Sequence, residues 1–185
     1  MVFSSLPFLL GFLPIFFLCY YIAPKDFRNL ALLIGSLVFY AIGAIEHPEH
    51  MALLVGAVAV DFYSALAIER FSKMRAPIFA LAILYHVIWL VYFKFTASFA
   101  SLDDFALPAG ISFYTFQGIS YLADIYRKDY HAEPLILNYA CYIMMFPQLI
   151  AGPIVVYPQV KQAMTGRTIT PSGALHGFAT FIFGL

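Results

Sequence analysis

The stretch from Pro108 to Arg127, PAGISFYTFQGISYLADIYR, is unusually polar for an apolar segment. On a helix, Gln117, Ser120, Tyr121 and Asp124 fall at i, i+3, i+4 and i+7, and Arg127 and Lys128 continue the same face. An amide, two hydroxyls and a carboxylate in such a stripe can act in two ways. They can bond to neighbouring helices, with Gly110 and Gly118 permitting close approach, or they can line a passage for a substrate. Asp61 and His86 each sit about midway along an apolar stretch. An ionised carboxylate is costly there, so Asp61 should face a partner or a cavity, with structural pairing expected. His86 reads as hydrogen-bonded packing rather than as a base. His47, His50 and His131 fall in loops and His176 in the final apolar run. No HxxxH or HExxH spacing and no Cys/His cluster is present, so no metal site is expected. GxSxG, GxGxxG and phosphate-loop patterns are also absent.

The elements that must position these residues are apolar helices. Of the 185 residues 63% are hydrophobic, 18% aromatic and 11% charged, against about 45–50% apolar and roughly 25% charged in a soluble domain. The charges cluster between long uncharged stretches, the pattern of a polytopic membrane protein. Net charge is zero, which gives no basic field for nucleic acid. Cys19 and Cys141 lie far apart in apolar stretches, so neither a disulfide framework nor a Cys-based metal site is expected. The first apolar run has no basic residues before it and no cleavage pattern after it, and it reads as a retained span.

Crossing about 30 Å of hydrocarbon takes roughly 17–25 helical residues. Met1 to Pro24, Asn29 to Ile45, Ala76 to Phe93 and Phe105 to Ala123 are uncharged, and His50 to Ile68 is interrupted only by Asp61. These are five expected spans. If they alternate, one side receives Lys25, Arg28, Arg70, Lys73, Arg75, Arg127 and Lys128, and the other only Lys94. The basic side should be cytoplasmic and the amino terminus outside.

From Pro134 to Val160 there is again no charge, but Pro147, Gly152, Pro153 and Pro158 interrupt the run. A helix from Leu135 to Phe146 would rise only about 18 Å, and Pro147 lacks the N–H that would continue it. A full crossing would place Lys161 and Arg167 outside, against the charge pattern. A re-entrant segment over about residues 135–157 is therefore expected, packed near a cavity that satisfies its irregular backbone. The sequence stops within the uncharged GFATFIFGL, so the amino-terminal part of a longer protein is expected. The fold expectation is all-α: one polytopic membrane domain over residues 1–185, with about five to seven apolar segments.

Two motifs together carry a resemblance. PAGISFYTFQGISYLADIYR and FPQLIAGPIVVYPQV (Phe146 to Val160) closely resemble the amino-terminal half of the membrane-bound O-acyltransferase family, in its branch of bacterial alginate O-acetyltransferase membrane components. The opening run and RNLALLIGSLVFYAIG (Arg28 to Gly43) also resemble that branch.

The resemblance implies a bacterial inner-membrane enzyme with re-entrant segments around a tunnel. It implies transfer of an acetyl or acyl group from a cytoplasmic donor, acetyl-CoA in this branch, to hydroxyls of an exported polysaccharide such as alginate. An extracytoplasmic acetyltransferase partner is implied, and no bound cofactor. The family's catalytic His lies in its carboxyl-terminal half, so no catalytic residue is assigned here and this stretch alone is expected to be inactive. Ser112, Gln117, Ser120, Tyr121, Asp124, Pro147, Gln148, Gly152 and Pro153 carry over as scaffold or tunnel lining. Val156 stands where the family commonly has a basic residue, which puts contact of the turn with an anionic group in doubt. A transporter or channel-like protein and a non-catalytic scaffold are the competing readings, because broken helices and intramembrane polar residues suit both.

Overall fold

A computed structural model describes residues 5–99, 107–149, 155–167 and 170–184. Among these residues every regular element is a helix. A π-helical stretch, Pro7–Phe12, runs directly into α1 (Leu13–Ile22); Pro7 stands in the first turn, where its missing N–H leaves no bond unmade, and Pro14 stands at the change from π- to α-helix. A short turn at Lys25–Phe27 precedes α2 (Arg28–Gly43), and then come α3 (Glu49–Arg70) and α4 (Arg75–Phe99). Glu49 in the first turn of α3 and Arg70 in its last both oppose the helix dipole favourably. Lys25–Gly43, Glu49–Arg70 and Arg75–Ser98 are long and apolar enough to cross a membrane, and Pro7–Ile22 is a shorter apolar helix. Leu81, Val91 and Phe95 of α4 are well exposed, as suits a surface solvated by lipid.

The stretch expected as the fifth span carries α5 (Ile111–Arg127), which lies towards its basic end and, at 17 residues, is not among the helices long and apolar enough to cross a membrane. It packs mainly on α3 and α4. Gly110, with φ +74°, starts it, and no β-carbon fits there because the Leu149 carbonyl lies against it. Lys128, with φ +65°, ends it, while the Asp129 N–H closes on the Asp124 carbonyl. The Asp103/Asp104 loop, expected on the outer side from the same charge pattern, lies outside the described residues.

The proline-interrupted region forms α6 (Ile136–Met144), α7 (Phe146–Leu149) and α8 (Tyr157–Thr165), followed by α9 (Pro171–Gly184). The expected stop at Pro147 is corrected here. The helix breaks at Met145, whose ψ of 114° is extended, and Pro147 sits in the first turn of α7, where proline is tolerated. Packing holds the break in place: the Phe146 ring lies among Phe8, Phe12, Phe16 and Phe39, with centroids 5.1–6.2 Å away. The Phe146 N–H donates to Ser36 Oγ at 3.2 Å. The first N–H of α7, left without a helical partner by the break, thus meets a side chain on α2 rather than lipid.

Candidate functional site

The mid-span acid and histidine meet in the core. The Asp61 carboxylate on α3 pairs with His86 Nε2 on α4 at 2.6 Å and accepts from the Tyr139 hydroxyl on α6 at 2.9 Å. Asp61 and Tyr139 are fully buried and His86 is 1% exposed. The pairing expected of both residues is therefore found, and Tyr139 ties α6 into it. Gly118 supplies the room: the carboxylate lies where a β-carbon at that position would be.

A second polar centre gathers at Glu133, between α5 and α6. Its carboxylate accepts from Lys161 Nζ at 2.7 Å, the Tyr157 hydroxyl at 2.5 Å, Asn138 Nδ2 at 3.0 Å and the Leu135 N–H at 3.3 Å. Its own N–H donates to the Tyr121 hydroxyl at 2.8 Å. Burial works to raise this carboxyl, but the hydrogen bonds from Lys161, Tyr157, Asn138 and Leu135 outweigh it and hold it below its ordinary range. Four buried tyrosines join the two centres. Tyr121 lies 4.5 Å from Tyr139 and 5.2 Å from Tyr157, ring centroid to ring centroid, and Tyr142 lies 5.2 Å from Tyr157. The Tyr142 hydroxyl donates to the Val155 carbonyl at 3.0 Å, fastening the chain where it emerges from the turn.

The expected stripe on α5 divides. Gln117 and Tyr121 are buried, whereas Ser112, Ser120 and Asp124 are half-buried at the edge. Tyr121 has its partner in Glu133, but both amide atoms of Gln117 are buried without a hydrogen bond among the described residues. An unpaired buried amide is costly, so Gln117 stands out among the polar groups inside the bundle. Pro147 is exposed and Gln148 half-buried, and both line a cavity beside α1. Gly152 and Pro153 lie outside the described residues.

Sequence reasoning missed Glu133 and its partners, although one signal was present. Glu133 is the acid that most closely precedes Lys161 and Arg167 in the sequence. His47, Glu49 and His50 also come together, with one ligand atom from each lying within 4.8 Å of the others. Their spacing, HPEH, is not that of a helical His pair. His47 Nδ1 already bonds the exposed Glu49 carboxylate at 2.9 Å.

The basic ends of the helices converge. Glu69 at the end of α3 meets His131 and the Ala132 N–H beyond α5. Arg75 at the start of α4 bonds the Tyr126 carbonyl and stacks over the Tyr126 ring. Arg167 and Arg28 both stand over the Tyr20 ring, at 5.5 and 5.7 Å.

Comparison of the sequence with known proteins finds relatives named for O-acetylation. The whole chain aligns with a probable alginate O-acetylase, AlgI, of Pseudomonas syringae pv. tomato at 33% identity over 202 residues, covering 38% of that protein. The AlgI protein of Pseudomonas aeruginosa aligns at 34% identity with the same coverage. A peptidoglycan O-acetyltransferase of Helicobacter pylori is 29% identical over 87% of this chain and 39% of its own length. The chain thus spans well under half the length of these relatives. No family model matches it, and no solved structure does.

Proposed function

Because the chain belongs to the membrane-bound O-acyltransferase family, in its alginate O-acetylase-like branch, we propose that it forms part of an enzyme that acetylates an exported polysaccharide such as alginate. The observation that carries this reading is the alignment of the entire chain with alginate O-acetylases at 33–34% identity. The donor is a cytoplasmic acetyl thioester, acetyl-CoA, approaching from the Lys/Arg-rich end in the bacterial inner membrane, with the amino terminus outside. An acceptor nucleophile in the passage attacks the acetyl carbonyl, its proton passes to a base, and the thiol leaves. A histidine outside these 185 residues acts as that base or as transient acyl carrier. An extracytoplasmic partner hands the acetyl group on to the polymer.

These residues contribute the wall of the passage. In this reading the segment over about residues 135–157 enters from the basic side and returns to it. Three features support that course. α6 and α8 have nine residues each, a rise of about 14 Å, too little to cross. Lys161 reaches Glu133, six positions beyond Arg127. Arg167 shares the Tyr20 ring with Arg28, at the start of α2. The Asp61 and Glu133 centres fix both arms of the segment, and Gln117 offers the passage an uncommitted amide. The departure at Val156 leaves the turn without a cation there, so anion contact falls to other basic residues.

The test is made in the full-length protein, in cells that export the polymer. Replacing the family's intramembrane histidine should abolish polymer O-acetylation while leaving a folded membrane protein by fluorescence-detected gel filtration. Unchanged acetylation would sink the assignment. Residues 1–185 expressed alone should give none.

A further inference from the structure

A cavity of about 470 Å³ lies between α1, α7 and α8, walled by Phe16, Phe17, Phe146, Val160 and Met164, with Tyr20 and Arg167 among its lining. We propose that it holds an anionic phospholipid, with one acyl chain among these apolar side chains and its phosphate between the guanidinium groups of Arg28 and Arg167.

Charge and packing both point to this occupant. Arg28 begins α2 one turn before Leu32, which also lines the cavity. Both arginines are half-buried, and both stand over the same Tyr20 ring, 5.7 and 5.5 Å from its centroid. Neither forms an ion pair among the described residues, and Arg28 Nε is buried without a hydrogen bond there. Glu133, the acid that most closely precedes Arg167 in the sequence, is already occupied by Lys161. Two guanidiniums without an ion pair among the described residues suit a phosphate oxygen face, which arginine binds in a fork. The apolar remainder selects a hydrocarbon chain, and the volume falls in the roughly 300–1,000 Å³ range of ligand pockets. A free phosphate would leave that apolar part unfilled. The site stands at the basic end of the helices, where arginines meet headgroups, and it does not depend on the acetyl-transfer reading.

The experiment uses the full-length protein, delipidated in detergent and titrated by native mass spectrometry with phosphatidylglycerol, phosphatidylcholine or inorganic phosphate. Phosphatidylglycerol should bind on the order of tenfold more tightly than phosphatidylcholine. That preference should vanish in Arg28→Gln/Arg167→Gln, and all binding at the site should vanish in Ala163→Phe, which fills the cavity. If a variant fails to fold, benzoylphenylalanine in place of Phe17 tests the wild-type cavity directly and should cross-link to lipid on illumination. Equal affinity for the two lipids overturns the proposal. So do an unaltered preference in the double variant, competition by inorganic phosphate alone, and cross-linking to another part of the polypeptide.

Discussion

The Asp61 carboxylate on α3 occupies the space that a β-carbon on Gly118 of α5 would need. The absence of a side chain at one position on α5 thus lets a buried acid lie against that helix while it bonds His86 and Tyr139. Gly118→Ala should push the carboxylate out of this arrangement and destabilise the protein by about 1–3 kcal/mol, the usual cost of overpacking a filled core. Thermal unfolding in detergent checks this. A variant as stable as the parent would show that α3 and α5 separate freely.

His86 and Asp61 form a pair with almost no access to solvent, so removing one member should cost far more than removing both. His86→Leu leaves an acid buried with only Tyr139, a loss of about 3–5 kcal/mol, whereas Asp61→Leu/His86→Leu should recover much of it. A double-mutant cycle should return a coupling of about 0.5–3 kcal/mol. Additive losses would mean that the two side chains do not act as a pair.

That Asp61 needs a partner was legible, because an acid midway along an apolar run is costly in hydrocarbon, but that His86 on α4 and Tyr139 on α6 supply it was not. The spans α2, α3 and α4 were legible because charge is excluded from lipid. The break at Met145 was not. A proline two residues later is the visible signal, but the bend is placed by the ring of phenylalanines around Phe146 and by Ser36, which come from distant parts of the chain. The division of the α5 stripe was equally hidden, since spacing gives a common face but not which neighbours cover it. Tyr121 lies against Tyr139 and Tyr157 and Gln117 is buried, while Ser120 and Asp124 are half-buried at the edge.

Glu133 gives the protein an acid-sensitive joint. Because the fold holds its carboxyl below the ordinary range, the folded state favours the ionised form. Its contribution is therefore complete above the unfolded value of about 4.3 and is lost as pH falls through the lower, folded value. Glu133→Gln should be less stable than the parent at pH 7, and the gap should close as pH falls below about 4.3. Unfolding midpoints of both proteins between pH 7 and 3.5 check the sign. A gap that stays constant across that range would show that the carboxylate's charge is not what Lys161, Tyr157 and Asn138 recognise.

The course of the segment between Glu133 and Lys161 is open to a chemical test, because the proposed re-entry fixes which cations share a side. With Cys19 and Cys141 replaced by serine, Arg127→Cys, Lys161→Cys and Arg167→Cys should all react with a membrane-impermeant maleimide only in inverted vesicles. Glu46→Cys, in the loop between α2 and α3, should react from outside in intact cells. Cys141 is buried with its thiol donating to the Asn29 carbonyl at 3.0 Å, and serine preserves a donor there, so the background should keep its fold. The Lys161–Glu133 bond makes a strong demand on this result, since the two residues cannot lie across about 30 Å of hydrocarbon from each other. Labelling of Lys161→Cys from outside would therefore break both the re-entrant course and the Glu133 centre, and with them the wall of the proposed passage.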